Sequence, residues 1–204
     1  GSIFSYHGGK FFWKKPRRWP YPITVLFGEP IANPDDHNQV RCAVEQLGVQ
    51  AVEHRRSNLI PPRQLLRACR KAKNRSKVAD SYGLDLTGSK FLTASLVFRR
   101  VLKREFLTAD EQMVGILLPP SVPGALVNAA LSLLGRVSVN LNYSLSDKVL
   151  NDCVKEAGIK HVITSKKFLE KKPTSIDAEW IYVEDIKEEV SLFDKLSSVV
   201  AAYA

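Results

Sequence analysis

The sequence predicts an α/β fold: a β-rich N-terminal remnant, a helical connector, then a partial parallel βαβ sheet with flanking helices. Three observations carry this. Apolar runs begin near Val114, Val137, His161 and Trp180, about two dozen residues apart with helical patterns between them, as in parallel strands joined by crossovers. The stretch Met113 to Asn142 carries no charge before Arg136. Residues 1–31 instead alternate strand-like segments with glycine turns.

The uncharged stretch is long enough to cross a bilayer, which takes about 20 apolar residues. Its punctuation argues against a span. Pro119, Pro120, Pro123 and Gly124 sit mid-run, where missing donors and fixed φ angles break a helix that lipid cannot repair. A buried strand from Val114 to Leu118 and a loop to Gly124 fit better. Pro123 then falls in the first turn of a helix that carries Ala125, Leu126, Ala129, Ala130, Leu133 and Leu134 at helical spacing and is capped by Gly135.

Taken in order, Ser2 to Tyr6 and Lys10 to Lys14 read as a hairpin turned by His7-Gly8-Gly9, and Ile23 to Phe27 as a further strand closed by Gly28-Glu29-Pro30. Between them, Lys10, Lys14, Lys15, Arg17 and Arg18 interleave with Phe11, Phe12, Trp13, Trp19 and Tyr21. Rings with a polar edge suit headgroup depth, and each cation near an anionic leaflet adds about 1 kcal/mol. The same composition suits single-stranded nucleic acid. Strand alternation would instead bury half the rings and leave the cations solvated. As a site, Lys10, Trp13, Lys14, Lys15, Arg17, Arg18 and Trp19 are the candidate contact to an anionic membrane surface.

A weakly amphipathic helix follows from Gln39 to His54, and a second from Pro61-Pro62 to about Lys73 with Leu65 and Leu66 inward. Arg63, Arg67, Arg70, Lys71, Lys73, Arg75 and Lys77 make the most basic segment; lacking aromatics or a recognition motif, it reads as a solvated face more than a nucleic-acid contact. Val78 to Tyr82 and Leu84 to Leu86 flank Gly83 as a hairpin. Thr87 caps a helix that buries Phe91, Leu92, Leu96, Val97, Val101 and Leu102 and ends near Lys103. Ser146 caps a helix to Ala157 stopped by Gly158, and Ser165 to Leu169 is helical. Val190 to Tyr203 is a last helix with Leu192, Phe193, Leu196, Val199 and Val200 on its apolar side.

A net charge of +9 points to an anionic partner: phospholipid, nucleic acid or an acidic protein. Cys42, Cys69 and Cys153 are widely spaced and odd in number, as in a reducing compartment. No G-x-G-x-x-G, P-loop, G-x-S-x-G or metal-spaced cluster occurs, and the prolines of the 119–124 loop remove the N–H groups a phosphate cradle needs. His7, His37, His54 and His161 stand apart in sequence, and Ser121 has no neighbouring base to make it a nucleophile.

Gly115 to Gly135 followed by Val137-Ser-Val-Asn-Leu-Asn142 resembles the early part of the AMP-forming acyl-activating (adenylating) enzymes. Thr87 with its helix, and Ile159 to Ser165, are similar to that family's opening and next strand. Gly1 to Trp13 with Tyr21 to Pro30 looks like the end of a glycerolipid acyltransferase domain. The two in this order are similar to bifunctional acyltransferase/acyl-acyl-carrier-protein synthetases. The resemblance implies an acyltransferase end over 1–34, a basic connector over 35–77 and the start of an AMP-binding domain over 78–204. For the whole protein it implies ATP and Mg²⁺ activating a fatty acid as acyl-adenylate, transfer to acyl-carrier protein, and acylation of a lysophospholipid by a cytoplasmic enzyme peripheral to the inner membrane. The acyltransferase His-x-x-x-x-Asp pair would lie before Gly1, and the adenylating family's Ser/Thr/Gly-rich loop and catalytic Lys beyond Ala204. The expectation is therefore an internal fragment, inactive alone, with no catalytic residue in this chain.

Overall fold

A computed structural model of the 204-residue chain describes residues 24–32, 34, 36–53 and 60–203. The chain divides into two compact units, Gly1–Ser57 and Asn58–Ala204. In the first, residues 24–32 are irregular and lead to helix α1 (His37–Glu53). Asp36 starts this helix, its carboxylate accepting from the Asn38 N–H at 2.8 Å. The strand expected over Ile23 to Phe27 is not present at residues 24–27. Val25 and Phe27 are exposed there, and no neighbour pairs with them among the described residues, without which an extended segment is no strand. The expected Ser2 to Lys14 hairpin lies outside the described residues.

The second unit opens with α2 (Pro61–Lys71), whose prolines occupy the first turn, where a missing N–H costs nothing. Strands β1 (Ser76–Ala79) and β2 (Asp85–Thr87) pair antiparallel around a turn in which Gly83 has a φ of 88°. Helix α3 (Gly88–Val101) is capped by Thr87, whose hydroxyl accepts from the Lys90 N–H, and runs on through a π turn, Leu102–Phe106, past the expected stop near Lys103.

The alternation then appears as expected: β3 (Met113–Ile116), α4 (Val122–Leu134), β4 (Val137–Asn140), α5 (Asp147–Ala157), β5 (His161–Thr164), α6 (Lys166–Lys171) and β6 (Glu179–Tyr182). Gly135 and Gly158 close α4 and α5 in the left-handed region, at φ 75° and 62°. The four strands are parallel in the order β4-β3-β5-β6. Side-chain alternation builds a core on each face. Val114, Ile116, Ile163 and Ile181 meet α3 and α4 residues such as Val101 and Val127 on one face. Val162 meets Leu150, Val154 and Ile159 on the other. A third cluster joins α2, α3 and α4 through Cys69, Leu92 and Leu126. No helix among the described residues is long and apolar enough to cross a membrane.

After β6 come α7 (Val183–Glu188), which the sequence reading did not anticipate, and α8 (Leu192–Tyr203). Helix α8 lies on α3 by its more polar side, with its apolar side outward. Asp194, Ser198 and Ala202 are buried, while Leu192, Phe193, Leu196, Val199 and Val200 are exposed. The physical reason is ionic: Asp194 meets Arg104 at 2.9 Å and Arg100 at 3.2 Å, and this pairing orients the helix.

Candidate binding cleft

Open parallel sheets bind ligands beyond the carboxyl ends of their strands. Here the loop that leaves β3 and the segment that leaves β4 enclose a cleft of about 500 Å³ at that end. Pairing continues into both: the Leu117 N–H donates to Ile163 O at 2.9 Å, and the Leu141 N–H to Ile116 O at 2.8 Å. Leu118, Pro119 and Pro120 wall one side before Ser121 caps α4. The Ser121 hydroxyl donates to Pro119 O at 2.9 Å and accepts from the Gly124 N–H at 3.3 Å. Any Cβ at Gly124 would stand 3.3 Å from Pro119 O, so the loop folds back tightly on the helix.

The N-terminus of α4 is already occupied. The Val122 N–H donates to the Asp80 carboxylate at 2.9 Å, Pro123 has no N–H, and Ser121 takes that of Gly124. Asp80 is held below the ordinary carboxylate range, first by that Val122 N–H and further by those of Leu84 and Tyr82. The first-turn N–H groups of α4 are thus taken within the chain rather than open to a phosphate.

One turn along α4, Asn128 faces Asn140 at the end of β4. Each amide donates to the other's oxygen at 3.0 Å, and Asn128 donates also to Gly124 O at 3.0 Å. Asn142 accepts from the Ser144 N–H and hydroxyl, fixing the turn after β4. Tyr143 meets Phe168 edge to face at 5.7 Å, with the Lys172 ammonium 5.8 Å from its ring centroid. Among the described residues the lining is apolar side chains plus hydroxyl and amide groups, with no carboxylate, imidazole, thiol or amine. Such a cleft can orient a ligand by hydrogen bonds and packing; it holds no general acid or base near neutral pH.

Other sequence candidates fall elsewhere. Lys10, Trp13, Lys14, Lys15, Arg17, Arg18 and Trp19 lie outside the described residues, as do His7 and His54. Ser121 serves as a helix cap. His37 is exposed beside Asp36. His161 stands apart only in sequence: its Nδ1 lies 2.9 Å from the buried Glu111 and its Nε2 3.3 Å from Glu179, at the end of the strands away from the cleft. Burial pushes the Cys69 thiol up, while Cys42 and Cys153 are exposed. The cations of the 63–77 segment are exposed. Among the described residues no three His, Cys, Asp or Glu side chains gather as a metal site. Sequence reasoning missed Asp80; the Asp80-Ser-Tyr-Gly83 turn was its only local signal.

No family model matches the sequence. The fold resembles solved adenylating enzymes. The N-terminal subdomain of NpsA from Klebsiella oxytoca, in complex with 3-hydroxybenzoyl-AMSN, aligns at a TM-score of 0.55 and 14% identity over 65% of this chain and 32% of its own. NpsA also matches as an artificially fused adenylation–PCP di-domain with ThdA, at 0.53 and 15% identity over 64% of this chain and 24% of that one. The nonribosomal peptide synthetase FmoA3, in its α-methyl-L-serine-AMP bound form, aligns at 0.55 and 13% identity over 65% and 15%. VinN with 3-methylaspartate aligns at 0.53 and 20% identity over 68% and 37%. The chain thus spans about a third of the length of NpsA's N-terminal subdomain and of VinN.

Proposed function

We propose that this chain is the opening part of an adenylating domain, and that the cleft between the β3 and β4 ends orients the acid in a reaction whose ionic chemistry other parts of the whole protein supply. The observation that carries this is the parallel sheet shared with structures that hold an acyl-AMSN or an AMP conjugate, together with a cleft lined by neutral groups. In the whole protein, ATP with Mg²⁺ would activate a fatty acid as its acyl-adenylate and a carrier protein would receive the acyl group. A carrier-protein partner is in keeping with the adenylation–PCP fusion. Residues 1–34 would close an acyltransferase domain for lysophospholipids such as 2-acylglycerophosphoethanolamine, residues 35–77 would connect, and 78–204 would begin the AMP-binding domain. Lys10, Trp13, Lys14, Lys15, Arg17, Arg18 and Trp19 would touch the anionic membrane surface from which the lysophospholipid is drawn.

The test is ATP–pyrophosphate exchange driven by fatty acids, run with the product of the complete reading frame and with the 204-residue chain. Exchange by the complete product and none by the chain is expected. Asn140→Leu in the complete product should raise KM for the acid at least tenfold and leave that for ATP unchanged. No exchange by the complete product, whatever the acid, overturns the reading.

A further inference from the structure

The exposed side of α8 is an amphipathic surface. At about 100° per residue, Leu192, Phe193, Leu196, Val199, Val200 and Tyr203 fall within an arc of about 120°, opposite the buried stripe of Asp194, Ser198 and Ala202. Leu192 is 77% exposed and Leu196 69%. Burying an apolar stripe is what holds a helix of this kind in place, and α8 is held instead by the Asp194 ion pairs and small contacts on α3.

Cations stand at both ends of this arc. At one end Arg99, Arg100, Lys103 and Arg104 line a groove, and the Arg100 guanidinium lies 5.2 Å from the Phe193 ring centroid, so groove and apolar arc are continuous. At the other the Lys73 ammonium lies 5.5 Å from the Tyr203 ring centroid. The carboxylates on the groove are Asp194, shared by Arg100 and Arg104, and Glu105, paired with Arg104. Arg99 and Lys103 have no acidic partner among the described residues, which leaves the groove a positive excess.

We infer that α8 and this cationic groove form a membrane-contact surface: the apolar arc enters the headgroup and acyl boundary of an anionic bilayer while Arg99 and Lys103 meet its headgroups. An exposed apolar helix face flanked by cations has this complementarity, since apolar burial and attraction to anionic lipid then act together. The inference does not rest on the Lys10 to Trp19 segment.

The test is co-sedimentation of the 204-residue chain with phosphatidylcholine vesicles, with and without phosphatidylglycerol, at low and high salt. Two variants spare the Asp194 pairs: Leu192→Ser with Leu196→Ser and Val200→Ser, and Arg99→Gln with Lys103→Gln. Each should retain its circular dichroism spectrum and lose at least tenfold in affinity for phosphatidylglycerol vesicles, and wild-type binding should weaken with salt. The variant Lys14→Gln with Lys15→Gln reports separately on the N-terminal segment. Undiminished vesicle binding by both α8-surface variants overturns the inference. So does a wild-type chain that ignores vesicles but forms a dimer that the serine variant dissolves, since the arc would then be a contact between copies.

Discussion

The Asp80 carboxylate accepts a hydrogen bond from the Val122 N–H at 2.9 Å, tying the tip of the β1–β2 hairpin to the first residue of α4 across 42 positions of sequence. The same carboxylate accepts from the Tyr82 and Leu84 N–H groups at 3.0 and 3.1 Å. Asp80→Asn should therefore lower Tm and speed hydrogen exchange at Val122. Because the folded group titrates below its ordinary value, its contribution is complete above that value and fades as pH falls through the folded one. Wild type and variant should converge in acid, and identical melting curves at pH 7 would refute the anchor.

Asp194 is a second tie, and a fully buried one. Ser191 holds its carboxyl well below the usual range, with Arg104 and Arg100 adding to the effect against the cost of burial. Asp194→Asn takes the counter-ion from the half-exposed Arg100 guanidinium and leaves Arg104 only its pair with Glu105. A loss on the order of 2 kcal/mol is expected by urea denaturation at pH 7. The pairs add stability above the ordinary carboxylate range and lose it in acid, so the variant's acid limb should be flatter than that of wild type.

Asp110 and Lys160 join the amino ends of β3 and β5 at 2.8 Å. Lys160 holds the Asp110 carboxyl down to about 2, with Thr108 assisting. Carbon-detected NMR titration should place Asp110 there, and Lys160→Ala should move it up towards about 3.9, the value of a free Asp. Both groups are exposed, so 1 M salt should shift Asp110 in the same direction.

Gly88 begins α3 where it crosses the end of α2. A Cβ there would stand 2.3 Å from the Cys69 carbonyl oxygen and 3.0 Å from Ala72. Gly88→Ala must push one helix off the other, which should cost about 2 kcal/mol or more in urea denaturation. Gly115→Ala meets the Val162 side chain at 2.8 Å and should cost less, because a side chain can turn away where backbone cannot.

Local signals were legible in the sequence. Thr87 accepts the cap bond that its position before an apolar periodic run predicts, and Gly135 and Gly158 adopt the left-handed caps. The strand starts near Val137, His161 and Trp180 fall within a residue of those observed. Ser146 precedes α5 without a side-chain cap bond. The pairs that fasten the unit were not legible: Asp80 with Val122, Arg104 with Asp194 and Glu111 with His161 lie 42, 90 and 50 positions apart. No window of local pattern spans such distances. The cleft follows the same division, since its proline loop is a sequence feature while the Asn128–Asn140 pair exists only because β4 lies beside β3.

The sequence by itself determined that Met113 to Asn142 is strand, loop, helix and strand, because three prolines and a glycine allow little else, and that parallel strands repeat after it. Tertiary structure alone decided which side of α8 is buried. Hydrophobic period states that a helix has two unlike faces; which face turns inward depends on the surface that receives it. On α3 that surface presents Arg100 and Arg104, whose charges draw Asp194 inward and leave Leu192, Phe193 and Leu196 in solvent.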